Sequence, residues 1–203
     1  MKILGIALLL IPVSVSEFPV TDLMERYEVE PFIIERPEMI KASHIEELVV
    51  KPVLEKLAQF DPRLNNEVGV VLMMGTAAQE TDLGYYLKQH PIGPGKGPWS
   101  VEDTTHEDVW RYLSRPSNKG LREAVLSFAR DKTLNPHPPH DELIDNLAYS
   151  CAIARVKYWM VPAKLPASVD LHAIGAYWDK YYNANARYGT VDEFVASYRE
   201  FVL

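Results

Sequence analysis

The sequence is poor in cysteine: its 203 residues contain one, Cys151. An internal disulfide framework is therefore excluded, and the redox compartment is not indicated. Cys151 lies within an apolar run of helical type. Because free cysteine is usually buried, this position favours a small core residue over a nucleophile.

Basic residues are outnumbered, with 21 lysines and arginines against 28 aspartates and glutamates and a formal net charge of −7. No run of basic residues is interleaved with aromatics, so we expect no nucleic-acid groove. An acidic surface also has no general attraction for an anionic membrane or cell wall. Binding to such a target would have to come from a shaped cleft.

The N-terminal apolar run, residues 3–15, is shorter than the roughly 20 residues that a transmembrane helix needs. With Lys2 before it and Ser14 and Ser16 at its end, it resembles a secretory signal. An apolar arm that packs against a partner subunit is the alternative. Residues 17–40 combine three prolines with short β-branched stretches, which indicates an extended arm.

From residue 41 onward the apolar spacing is helical. A first helix starts at Ser43 and is interrupted by Pro52, which predicts a kink or two short helices. Further helices are predicted at about 65–82, 105–115, 118–131, 139–161, 170–183 and 191–202. The prediction is an extended arm over residues 1–40 and an all-α domain over residues 41–203.

Three helix starts carry the signature of a capping box, in which a hydroxyl and a carboxylate each satisfy a free backbone N–H. The pairs are Ser43 with Glu46, Thr104 with Glu107, and Thr190 with Glu193. The 139–161 helix is apolar on more than one face, which is typical of a central helix.

Glu80 closes the apolar stripe of the predicted 65–82 helix. The negative end of the helix dipole and partial burial both raise the pKa of a carboxyl placed there, toward the range of a general acid. Residues 83–100 follow, rich in glycine and proline, as in a functional lid or cleft wall. Tyr85 and Trp99 offer flat apolar faces that suit sugar rings. The alternative is a solvated surface charge at a helix end.

Short motifs recur in a recognisable order over residues 60–185. They read Gln79-Glu80-Thr81-Asp82-Leu83-Gly84, Gly97-Pro98-Trp99-Ser100-Val101, Asp103-Thr104-Thr105-His106, Gly175-Ala176-Tyr177-Trp178 and Tyr181-Tyr182-Asn183. This order resembles the lysozyme-like lytic transglycosylases, particularly the phage virion-associated members. Those enzymes carry Glu-Ser at a helix end, a loop ending in Gly-Leu-Met-Gln-Ile, a Pro-x-Thr helix start and a late Ala-Tyr-Asn.

The resemblance implies a lysozyme-like fold and cleavage of the bond between N-acetylmuramic acid and N-acetylglucosamine in peptidoglycan, during genome ejection. Glu80 would be the sole catalytic acid and base, with no cofactor and no metal. The implied substrate-binding residues are Thr81, Tyr85, Gly97, Trp99, Ser100 and Tyr177. The implied partners are peptidoglycan glycan strands and other virion proteins, the latter through the N-terminal arm.

Two alternatives to this function stay open. Ser100 stands where the family has glutamine, which favours a structural virion protein with an inactive lysozyme-like fold. The apolar N-terminus favours a secreted or periplasmic bacterial protein, in place of a virion protein acting in the host periplasm.

A hydrolase would need a second carboxylate about 5–9.5 Å from the first. Its sequence candidates are Asp82, Glu102 and Asp103.

Histidines could indicate a metal site, because His137 and His140 flank two prolines ahead of Asp141. Zinc needs three or four converging ligands, so a rigid turn before the long helix is the interpretation adopted. His106 is expected to face solvent. Arg155 is expected either to pair with a carboxylate near the cleft or to be a helix-surface charge.

Overall fold

The structure is a computed structural model that describes residues 40–89, 93–134, 136–184 and 189–203. The compact unit spans Glu38–Leu203. Residues 1–39 of the predicted N-terminal arm, including its signal-like run, lie outside the described residues.

Helices account for most of the described chain. In chain order they are α1 (Ala42–Ile45), a π-helical turn (Glu46–Val50), α2 (Lys51–Ala58), α3 (Glu67–Thr81), α4 (Asp103–Leu113), α5 (Lys119–Phe128), α6 (Glu142–Asp145), α7 (Leu147–Trp159), α8 (Leu171–Tyr181) and α9 (Val191–Phe201), with 3₁₀ turns at Pro62–Leu64 and Pro116–Asn118. The described residues otherwise show only isolated β-bridges. The predicted all-α class is confirmed.

Two helices, α3 and α7, form the centre of the core. Both are apolar around most of their circumference, so they bury most of their residues among their neighbours. α3 packs against α9 at close range: a Cβ added to Gly75 would lie 2.3 Å from Phe194 Cζ. Within the described residues, no helix is both long and apolar enough to cross a membrane.

The predicted 139–161 helix is broken in two at Asn146. Its side chain caps α7 by accepting from the Tyr149 backbone N–H (3.1 Å) and donates to the Phe128 carbonyl oxygen (2.9 Å). It also donates to the buried carboxylate of Glu142 (3.0 Å). The apolar periodicity of the sequence continues through Asn146 and does not indicate this break, because the break is made by a tertiary hydrogen-bond network.

One of the three predicted capping boxes is present in half: the hydroxyl caps the helix, but the carboxylate accepts from that hydroxyl and not from the backbone N–H. The Thr190 hydroxyl accepts from the Glu193 N–H (3.2 Å) and bonds the Glu193 carboxylate (3.0 Å). The boxes at Ser43 and Thr104 are wrong, because α1 and α4 begin one residue earlier and place these residues inside the helices.

Pro52 lies at the start of α2 in a helical segment that is continuous from Ala42 to Ala58. The predicted interruption takes the form of the π-helical turn Glu46–Val50 immediately before it. Proline has no N–H to donate to the preceding turn, and a wider turn is one accommodation of that loss.

Candidate functional site

A left-handed turn follows Glu80 directly. α3 ends at Thr81, and Asp82, Leu83 and Gly84 then take φ angles of 51°, 56° and 85°. For residues with a side chain this conformation costs on the order of 1–3 kcal/mol each. The chain therefore leaves the helix over the second to fourth residues after Glu80, and the carboxyl lies in the last turn of the central helix.

Thr81 fastens the following loop to this turn. Its hydroxyl donates to the Pro98 carbonyl oxygen (2.7 Å) and accepts from the Gly84 N–H (2.9 Å), and its side chain is buried. Thr81 therefore has a structural role, because its single hydroxyl joins two ends of the 83–100 loop. Its predicted role in substrate binding stays a prediction.

Backbone pairing folds the described part of this loop, which excludes residues 90–92, back on itself. Lys96 pairs with both Lys88 and Val101 through antiparallel bridges. Gly97 has φ 71°, and a Cβ added there would lie 1.8 Å from the Leu143 carbonyl oxygen. Only glycine fits that position, so Gly97 packs the loop against the start of α6.

The Glu80 carboxyl is partly buried between α3 and α8. Burial, as the largest influence, and the negative charge of Glu102 both raise its pKa, which lies at about 7 against the ordinary 4.5. The Trp178 indole N–H donates to Glu80 Oε1 (3.1 Å), and the Lys157 ammonium is close enough to act in the same direction; both lower the pKa against burial. The result is a carboxyl near half-protonation at neutral pH.

Tyr182 and Lys157 lie close enough to Glu80 for its charge to act on both. The Tyr182 hydroxyl donates to the Trp99 carbonyl oxygen (2.5 Å), and its ring stacks on Tyr158 with centroids 4.9 Å apart. Lys157 Nζ lies 3.5 Å from the centroid of the Tyr182 ring and donates to its carbonyl oxygen (3.2 Å). Desolvation lowers the pKa of Lys157 to about 8, so it carries its charge at neutral pH.

Three carboxylates were the sequence candidates for a second acid, and they differ in placement. The charge of Glu102 acts on Glu80, Lys157 and Tyr182, and its side chain is exposed. Asp103 instead forms an ion pair with Lys96 (2.9 Å). Asp82 lies in the left-handed turn. Of the three candidates, Glu102 is therefore the one whose charge acts on the Glu80 carboxyl.

The structure places the predicted sugar-facing residues in different environments. Trp99 is fully buried and donates from its indole N–H to the Met73 carbonyl oxygen (2.9 Å), which makes it a core residue. Tyr85 is 52% exposed and meets Tyr86 edge-on. Ser100 is partly buried with φ 49°.

Tyr177 is buried, and its hydroxyl donates to the Ala163 carbonyl oxygen (3.0 Å). The neighbouring Trp178 reaches Glu80 instead, because consecutive side chains on a helix point about 100° apart. Trp178, Lys157 and Tyr182 were not predicted as site residues. Their convergence depends on how α7 and α8 pack. Trp178 and Tyr182 stand within motifs that the sequence analysis quotes, whereas Lys157 had no local signal.

Both expectations for Arg155, a helix-surface charge or a partner of a carboxylate near the cleft, are wrong. It is 2% exposed and donates to the carbonyl oxygens of Leu64 (3.1 Å) and Arg63 (3.3 Å). Its side chain also borders a cavity of about 680 Å³ beside residues 161–169, whose lining does not include Glu80. The guanidinium therefore tethers the 3₁₀ turn before α3.

Comparison of the chain with protein-family models, with curated proteins and with solved structures found no match.

Proposed function

We propose that this protein is a peptidoglycan lytic transglycosylase of lysozyme-like fold, carried in a phage virion and acting in the host periplasm during genome ejection. Glu80 is its catalytic acid and base. The observation that carries the proposal is the carboxyl at the end of α3, whose pKa is raised to about 7 by burial. Such a group holds and releases a proton at neutral pH, as the chemistry requires.

The proposed reaction needs one carboxyl group. Protonated Glu80 gives its proton to the glycosidic oxygen between N-acetylmuramic acid and N-acetylglucosamine, and the bond breaks. The carboxylate then takes the proton of the sugar's own 6-hydroxyl as that oxygen attacks the anomeric carbon, which yields a 1,6-anhydro product. The Trp178 N–H and the Lys157 charge stabilise the carboxylate between the two proton transfers.

The test is to incubate the purified protein with peptidoglycan and analyse the released muropeptides by mass spectrometry. Anhydro-muropeptides are expected from the wild type and not from Glu80→Gln, which preserves shape and removes the proton. Glu102→Gln is the matched control, and it should retain the anhydro product. A reducing-end product that depends on both residues would replace the transglycosylase with a hydrolase. No product from the wild type would exclude the enzymatic proposal.

The second candidate is a structural virion protein with an inactive lysozyme-like fold. The burial of Trp99 favours it, because this aromatic side chain is packed in the core and leaves no flat face for a sugar ring. Ser100 in place of the family glutamine favours it as well. The peptidoglycan assay separates the candidates, since the inactive protein gives no product with or without Glu80.

A further inference from the structure

Three histidines that are separate in sequence converge on one side of the fold. His106 comes from the first turn of α4, and His137 and His140 come from the segment before α6. One ring nitrogen from each lies within 4.8 Å of the other two. The rings of His137 and His140 stack at 5.0 Å, and His106 meets both edge-on at 4.8 Å.

The expectation that His106 faces solvent is wrong, because its side chain is fully buried. Its Nε2 lies 2.6 Å from the Tyr149 hydroxyl oxygen and accepts from the Trp110 indole N–H (3.2 Å), whereas its Nδ1 is buried with no hydrogen-bond partner among the described residues. A buried ring nitrogen without a hydrogen-bond partner is unfavourable. An unpaired buried nitrogen in a ring that meets two other imidazoles edge-on is a candidate metal ligand.

The other two histidines each have one ring nitrogen beside an oxygen atom. His137 Nδ1 lies 2.9 Å from the Pro138 carbonyl oxygen, which can only accept, so this nitrogen carries the proton and Nε2 keeps its lone pair. His140 Nδ1 lies 3.5 Å from an Asp103 carboxylate oxygen, and its Nε2 is buried without a hydrogen-bond partner in the described chain. A metal-bound histidine has this arrangement, in which an oxygen atom holds the second nitrogen.

The charges around the cluster are compatible with a cation. Carboxylates of Asp103 and Glu107 lie 3.5 and 4.0 Å from the His140 ring nitrogens. Lys96 is the opposing cation, and it is itself paired with Asp103 and Asp141.

We propose that His106, His137 and His140 bind a divalent transition-metal ion, with zinc as the ion of choice. Three imidazoles suit zinc and its neighbours, whereas magnesium and calcium prefer oxygen ligands. Zinc–nitrogen bonds of about 2.1 Å in tetrahedral geometry bring the nitrogens to about 3.4 Å of each other, so binding draws the rings together by about an ångström.

The metal would act as a clamp between two elements. It joins the start of α4 to the 136–140 segment, which is rich in proline and has little regular structure. α4 begins directly after Glu102, whose charge acts on Glu80, so the clamp also holds the chain next to this carboxylate. The proposal stands on the histidine geometry and does not depend on Glu80 being catalytic. It departs from the sequence prediction of no metal.

The experiment uses the full chain without a histidine tag, stripped with a chelator and titrated with Zn²⁺ by calorimetry. One ion per chain is expected by elemental analysis, and Co²⁺ should give the intense visible bands of tetrahedral nitrogen coordination. His137→Ala and His140→Ala should each weaken binding by at least about 100-fold, more than an outer-shell change does. Both residues are only partly buried, so the fold should survive.

The matched control replaces His44 and His172, which are exposed and lie outside the cluster. This double alanine variant should bind one ion with wild-type affinity. Asp103→Asn should weaken binding by about 10- to 100-fold if the carboxylate orients His140. Failure of the wild type to bind zinc would overturn the proposal. Unchanged affinity in both His137→Ala and His140→Ala would overturn it too.

Discussion

The stability of the protein should fall as Glu80 loses its proton. A carboxyl whose pKa is higher in the folded than in the unfolded state binds the proton more tightly when folded. The free energy of unfolding therefore decreases as the pH rises between the two values, here 4.5 and about 7. Glu80→Gln removes the titrating group and should remove this decrease.

The size of the effect follows from the shift. Each unit of pKa difference corresponds to about 1.4 kcal/mol, so the wild type should lose on the order of 3 kcal/mol relative to Glu80→Gln between pH 4 and pH 7. For a domain of this size, that corresponds to about 6–12 °C in melting temperature. The loss should approach a plateau above pH 7, where Glu80 is ionised in both states.

The assay is urea unfolding of both proteins at half-unit pH steps, compared as a difference at each pH. The difference matters because His106, with its pKa lowered to about 3, makes stability rise with pH over part of the same range in both proteins. Lys157, with a pKa of about 8, titrates above the window. Parallel stability curves for wild type and Glu80→Gln would refute the raised pKa.

Three further substitutions test the packing and the site. Gly75→Ala places a Cβ 2.3 Å from Phe194 Cζ and should lower the unfolding free energy by about 1–3 kcal/mol, measured by urea unfolding, whereas Ala at exposed Ser43 should leave it nearly unchanged. Gly97→Ala should disorder the loop, because its Cβ would meet a carbonyl oxygen at 1.8 Å and its φ is 71°; intact protection from proteolysis would contradict this. Trp178→Phe removes the N–H that stabilises ionised Glu80, so the pH at which activity or stability changes should rise by about one unit. A shift to lower pH would show that the indole does not bond the carboxylate.

The helices were predictable because their apolar spacing is a local property of the sequence. The prediction of about 65–82 is within two residues of α3, Glu67–Thr81, and the final helix matches Val191–Phe201 as closely. Helix starts were less predictable, since the hydroxyl of Thr104 can cap only if the chain enters the helix there. In the structure Glu102 precedes the first turn without a side-chain cap.

The site was predictable only in its first residue. Glu80 was marked by sequence position, at the end of an apolar helix and ahead of a glycine-rich loop. Its partners Trp178 and Lys157 lie on α8 and α7, and no local pattern links them to it. The histidine cluster was not predicted for the same reason: His137 and His140 are close in sequence, but the third member, His106, joins them through the packing of α4.

The position of Glu80 also bears on the alternative of a solvated surface charge. A solvated carboxyl would keep its pKa near the ordinary value, whereas burial between α3 and α8 raises that of Glu80 to about 7. Its ionised form therefore costs the fold on the order of 3 kcal/mol at neutral pH, and the left-handed Asp82 and Leu83 add further strain two and three residues later. A chain under selection for stability alone could relieve both costs with a glutamine and a glycine. Destabilising features gathered around one proton-bearing group are typical of a functional site. If Glu80→Gln stabilises the protein at pH 7 and abolishes glycan cleavage, the same carboxyl carries both the cost and the chemistry; if it stabilises the protein and the wild type cleaves nothing, the cost belongs to an inactive lysozyme-like fold.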